Sequence, residues 1–128
     1  MTLRTFRIGD SKDKSAGLRI ATTRYLPRGV RKADYARLGL FDVWLPGVSP
    51  SPALIRWLKS REWNAATART FFARYEREMR TSSDARQTIK LLAAMAKRMP
   101  VSIGCYCEDE RRCHRSALAR LIRQADRL

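Results

Sequence analysis

Val101-Ser102-Ile103-Gly104-Cys105 is a short apolar run that reads as a buried strand, and Cys113-His114-Arg115 opens a helix a few residues further on. In that helix Ala117, Leu118, Leu121, Ile122 and Ala125 share one face. A strand running through a polar loop into an amphipathic helix is the unit of an α/β domain, so this segment sets the fold class. Upstream, Thr81-Ser82-Ser83-Asp84 supplies a capping segment for a helix with Ala85, Ile89, Leu92, Ala96 and Met99 on its apolar side, stopped by Pro100. Ala68, Phe71, Phe72, Tyr75 and Met79 repeat at spacings of three and four and mark another. On its outer face Arg74 with Glu78 and Glu76 with Arg80 are spaced for ion pairs. Ser51 as N-cap and Pro52 at the first helical position open a helix through roughly Lys59.

Three further strands precede these helices. Phe41 to Leu45 is rich in aromatic and β-branched residues and ends at Pro46-Gly47. Leu18 to Thr22 or Thr23 is a second, and Leu3 to Ile8 a first, closed by Gly9 and Asp10. The stretch Ser11 to Gly17 reads as a flexible loop, and Arg24-Tyr25-Leu26-Pro27-Arg28-Gly29-Val30 is irregular because Pro27 and Gly29 interrupt it. Strands alternating with helices predict one three-layer α/β domain over residues 1–128, with a small, mostly parallel sheet flanked by helices. Sites in such sheets lie beyond the carboxyl ends of the strands.

A chain of 128 residues is large enough to bury one core without disulfide or metal support. Lys and Arg number 27 against 12 acids, a formal net charge of +15 that attracts polyanions at long range. The basic residues are spread along the chain, so non-specific contact with nucleic acid is the expectation, and a solvated surface rich in local ion pairs the plainer reading. No apolar stretch approaches membrane-spanning length and none near Met1 resembles a secretory leader. Cys105, Cys107 and Cys113 are odd in number and clustered, unlike a secreted disulfide scaffold, so reduced thiols and a cytoplasmic location are expected.

Cys113 lies at a helix start, where unpaired N–H groups and the helix dipole favour an anion and Arg115 adds a cation. That setting makes Cys113 the candidate nucleophile, with His114 as its proton-transfer partner. Cys105 reads more simply as a small buried hydrophobe that also faces a ligand. Cys105, Cys107, Cys113 and His114 are four soft or borderline ligands within ten residues. A closed four-ligand zinc site is not expected from them and none is assigned, because Cys113 and His114 as helix neighbours would converge on one ion only if the turn were irregular, and the two-knuckle spacing is absent. Cys105 and Arg111 bracket five residues as in a phosphatase loop, yet Glu108-Asp109-Glu110 would repel a phosphate there. Those acids are expected to pair with Arg111, Arg112 or Arg115. Arg24 and Arg28, after a strand, are the further anion-binding candidates, together with Arg115. Trp44, Trp57 and Trp63 read as packing residues.

Arg24-Tyr25-Leu26-Pro27-Arg28-Gly29, Trp44-Leu45 with Pro50-Ser51, then Phe71, Tyr75 and Glu78, and finally Cys105 with Cys113-His114-Arg115, resemble the domain of unknown function 488 family, which includes the YeaO-like proteins. The resemblance runs over nearly the whole chain and implies an α/β architecture and the positions of a site, without a particular reaction or cofactor. Thr23 and Leu26 stand where YeaO-like proteins typically have Asp and Trp, and Cys107 where a Glu is common in other members. The expected function is thiol chemistry or the binding of an anionic small molecule at the Cys105 to Arg115 loop. The alternatives are a nucleic-acid-binding module using the Arg-rich surface and a non-catalytic structural or interaction domain.

Overall fold

The computed structural model describes every residue except Lys12, Pro27 and Ala36. Strands β1 (Leu3–Arg7), β2 (Leu18–Ala21), β3 (Val43–Trp44) and β4 (Val101–Cys105) form a four-stranded sheet in the order β1-β4-β2-β3, with every neighbouring pair parallel. The helices are α1 (Pro52–Lys59), α2 (Ala65–Thr81), α3 (Ser83–Ala96) and α4 (His114–Arg123). The last strand in sequence is thus central: Val101 pairs with Leu3 on one side and Leu18 on the other. It is buried along its whole length, Ser102 included, whose hydroxyl donates to the Ala16 carbonyl at 2.8 Å.

Leu3, Ile20, Val101 and Ile103 point to one face and join a single core with Leu54 of α1, Phe71 and Tyr75 of α2, Ile89 of α3 and Leu118 of α4. Each side chain of this size contributes about 1.5–3 kcal/mol when fully withdrawn from water. Among the described residues, the opposite face is closed without an α-helix. Ile8, Ala21 and Phe41 cluster there with Phe6, Tyr35, Leu40 and Trp44, so the third layer is the long crossover between β2 and β3. Gly104 sits on this face beneath Phe6, whose ring would lie 2.4 Å from an added Cβ. Arg19, buried on the same side, is tied to Asp42 at 3.6 Å and donates to the Gly39 carbonyl at 2.6 Å.

The helix starts follow the residues that cap them. Ser51 Oγ accepts from the Leu54 N–H, with Pro52 in the first turn, and Ser82 caps α3 through the Ala85 N–H. Four local expectations change. Glu78 pairs with neither Arg74 nor any residue of its own helix; it accepts from the Ser51 N–H at 2.9 Å and from the Ser51 hydroxyl, locking α1 to α2. Glu76 pairs with Arg120 of α4 instead of Arg80. Met99 falls beyond the end of α3 and is exposed, because the helix stops at Ala96. The stretch expected to be a loop between β1 and β2 contains a turn of 3-10 helix, Lys14–Ala16, capped by Asp13. The reading of Pro27 falls outside the described residues. Among the described residues no helix is long and apolar enough to cross a membrane.

Candidate functional site

The carboxyl ends of β2 and β4 meet the start of α4, and the sequence fixes how. β4 delivers Cys105 buried at its last position. The chain then crosses an exposed loop and the turn Glu110–Arg112, and returns at Cys113 in extended conformation (φ −116°, ψ 141°). His114 is the first residue of α4. Because Cys113 is the cap and not a helical residue, its side chain and that of His114 do not diverge. Cys113 Sγ lies 3.8 Å from His114 Nδ1, and the ligand atoms of Cys105, Cys113 and His114 all lie within 4.8 Å of one another. The argument from helical neighbours against convergence therefore fails at this cap, and these three residues could hold a metal ion.

His114 is held from behind. Its Nε2 N–H donates to the Thr22 carbonyl at 2.8 Å, and Thr22 Oγ1 donates to the Gly104 carbonyl at 3.0 Å, joining β2, β4 and α4. With the proton on Nε2, Nδ1 carries the lone pair and faces the sulfurs. Tyr75, fully buried, packs edge-on to the imidazole at 5.5 Å between centroids and donates to the Val48 carbonyl at 2.7 Å. Burial holds the Tyr75 phenol well above its ordinary value.

Cys107 Sγ lies 3.9 Å from Cys105 Sγ. Hydrogen bonds from the Cys107 thiol and then the Cys113 thiol stabilise an anion on Cys105, pushing its pKa down against burial. Cys113 moves the other way: as donor to Cys105 and Cys107, buried and beside a negative sulfur, it keeps its proton. Cys113, expected at the helix start to be the nucleophile, makes no side-chain capping bond to the N–H groups of α4.

All three cysteines and His114 line one cavity of about 280 Å³, together with Thr23, Arg24, Tyr25, Lys59, Phe71, Tyr106 and Arg112. Of the arginines singled out in the sequence, Arg24 lines this cavity with its guanidinium anchored to the Pro50 and Ser49 carbonyls at 3.2 and 3.3 Å. Arg28 is exposed and lines an adjoining groove with Tyr25, Lys59 and Tyr106. Arg115 is buried outside the cavity lining and donates to the Cys107 carbonyl at 2.8 Å, bracing the loop. Lys59, Arg112, Tyr106 and Thr22 were not anticipated. Arg112 adjoins Cys113 in sequence and Lys59 ends α1, but only the fold brings them together; Arg112 stacks on Trp63 at 5.4 Å. The acidic loop points outward: Glu108 meets Arg7 at 3.3 Å, Asp109 meets Arg111 at 3.5 Å and Glu110 accepts from Thr5 at 2.5 Å. Arg111 is almost fully exposed and outside the cavity lining, in keeping with rejection of a phosphatase loop. Trp57 and Trp63 pack as expected, Trp57 against the main core and Trp63 edge-on to Phe72, and Trp44 donates to the Thr23 carbonyl at 2.8 Å.

The chain is a small parallel α/β domain with a cysteine-histidine cluster at the carboxyl end of its sheet. Residues 3–126 match the family DUF488-N3a, described as the active DUF488-N3 subclade, and the chain belongs to that family. It is similar to the protein YeaO of Escherichia coli strain K12, named as uncharacterized, with 28% identity over 123 residues that cover 96% of this chain and 98% of the relative. No solved structure matches the chain.

Proposed function

We propose that this domain binds an anionic small molecule in the cavity between the Arg24 loop and the start of α4, and acts on it through the thiol cluster. The observation that carries this reading is that one cavity holds Cys105, Cys107, Cys113 and His114 on its wall and has Arg24, Lys59 and Arg112 around it. Cations beside a half-open, largely apolar cavity favour a ligand with a negative head and a compact body. The family's description as an active subclade supports a working site.

Alkylation of the reduced, chelator-treated protein tests this with two reagents that differ in charge. The sulfur displaces iodide from either iodoacetate or iodoacetamide; a C–S bond forms and iodide leaves. The cavity should raise the iodoacetate to iodoacetamide rate ratio above that of the unfolded chain, and Lys59→Gln with Arg112→Gln should lower the iodoacetate rate alone. Equal ratios in folded and unfolded protein would remove the anion from the proposal.

A further inference from the structure

We infer that Cys105, Cys113 and His114 bind a soft divalent metal ion of the zinc class and leave one coordination position open to the cavity. The inference rests on the cavity being the functional site and gives the thiols a different task from direct attack on a ligand. The donors come from the end of β4, the cap of α4 and the first residue of α4, and all three residues are buried with their ligand atoms within 4.8 Å of one another. In a tetrahedral zinc site, with Zn–S near 2.3 Å and Zn–N near 2.0–2.1 Å, the ligand atoms stand roughly 3.5–3.8 Å apart. The Cys113 Sγ to His114 Nδ1 separation is 3.8 Å, so this edge of the tetrahedron already exists.

The histidine carries the second observation. A metal-bound imidazole characteristically donates its other N–H to a backbone carbonyl, which fixes the tautomer. His114 does this with Thr22 at 2.8 Å, leaving the Nδ1 lone pair directed at the sulfurs. Charge agrees as well. As the two metal–sulfur bonds form, any proton still held on either sulfur passes to solvent, and two thiolates with a neutral imidazole cancel a 2+ charge in a buried place. Two sulfurs and a nitrogen suit zinc, whereas magnesium and calcium take oxygen. Three protein ligands are the pattern of a catalytic site, in which the remaining position takes water or substrate. Here all three line the cavity, so an anionic oxygen of the ligand would reach the ion while Lys59 and Arg112 meet its remaining charge. Cys107 is exposed and outside the three-residue group, so it is assigned as a neighbour of the site and not a ligand.

The test uses the reduced, metal-stripped full-length protein titrated with cobalt(II) and, separately, with zinc. Native mass spectrometry should show one ion per chain. The cobalt form should show sulfur-to-metal charge-transfer absorption with visible bands of tetrahedral intensity. Loss of an outer-shell partner alone typically weakens metal sites by about 10–100-fold, and Cys105→Ser or Cys113→Ser should cost at least that. Cys107→Ser should keep the bands and the affinity. Wild-type protein without charge-transfer absorption would overturn the site whatever the folding of the variants, and so would bands unchanged in Cys113→Ser. Equal loss in Cys107→Ser would mean a closed four-ligand site and overturn the open position. Lys59→Gln and Arg112→Gln should leave the cobalt spectrum unchanged, so failure of anion binding and failure of metal binding are read separately.

Discussion

The imidazole of His114 is oriented by the main chain of Thr22, not by another side chain: Nε2 donates to the Thr22 carbonyl at 2.8 Å, while the Thr22 hydroxyl oxygen lies at 3.2 Å and donates elsewhere. A backbone anchor is insensitive to the side chain that carries it, and this separates orientation from stability.

Thr22→Val should therefore remove one buried hydrogen bond and leave the ring in place. The Gly104 carbonyl still accepts from the Thr22 N–H at 2.9 Å, so the cost should be about 0.5–1.5 kcal/mol in urea denaturation. Unchanged iodoacetamide rates at each cysteine would agree with carbonyl anchoring; altered rates would give the orienting role to the hydroxyl.

Arg28→Ala and Arg115→Ala should separate a surface cation from a buried brace. Arg28 is exposed, and its removal should change stability by no more than about 0.5 kcal/mol while reducing the stabilisation that sulfate confers in thermal melts. Arg115 is buried and bonded to the Cys107 carbonyl, and its truncation should cost about 1–3 kcal/mol with or without sulfate. A structural loss at Arg28 comparable to that at Arg115 would contradict the assignment.

Gly17→Ala should be among the most damaging small changes. Gly17 has φ +67°, and an added Cβ would sit 2.1 Å from the Pro100 carbonyl oxygen, which accepts from the Leu18 N–H at the start of β2. Strain and overlap together should cost about 3 kcal/mol or more. Gly47→Ala, where nothing lies within 4 Å of the added atom, serves as control and should stay within about 0.5 kcal/mol.

Binding to generic DNA or RNA should be weak and fall steeply with salt, as the net charge of +15 requires if phosphate neutralisation alone drives it. A fluorescence anisotropy titration at two salt concentrations decides this. Binding that is tight and nearly independent of salt would point to a dedicated interface and favour the nucleic-acid reading over the cavity.

The sequence made legible what is decided locally. Ser51-Pro52 opens α1 because a hydroxyl cap and a fixed φ need only adjacent residues, and the apolar spacing in α2 brings Phe71 and Tyr75 to the core. The partners of Glu76 and Glu78 were not legible, since ideal helical spacing to Arg80 and Arg74 competes with Arg120 and Ser51, which only the tertiary fold brings near. The site shows the same limit. Cys105, Cys113 and His114 were visible as residues, but their convergence depends on whether Cys113 lies inside the helix or just before it. A one-residue difference at a helix boundary is below what periodicity resolves.

The central place of β4 also orders events during synthesis. β1 and β2 pair with β4 and not with each other, so β1 has no sheet partner, and β2 only β3, until Val101–Cys105 has been made. The pairing of Leu3 with Val101 spans most of the chain, a long loop to close before any reward in contacts. The sheet and the Cys105–Cys113–His114 cluster therefore both depend on the same late strand.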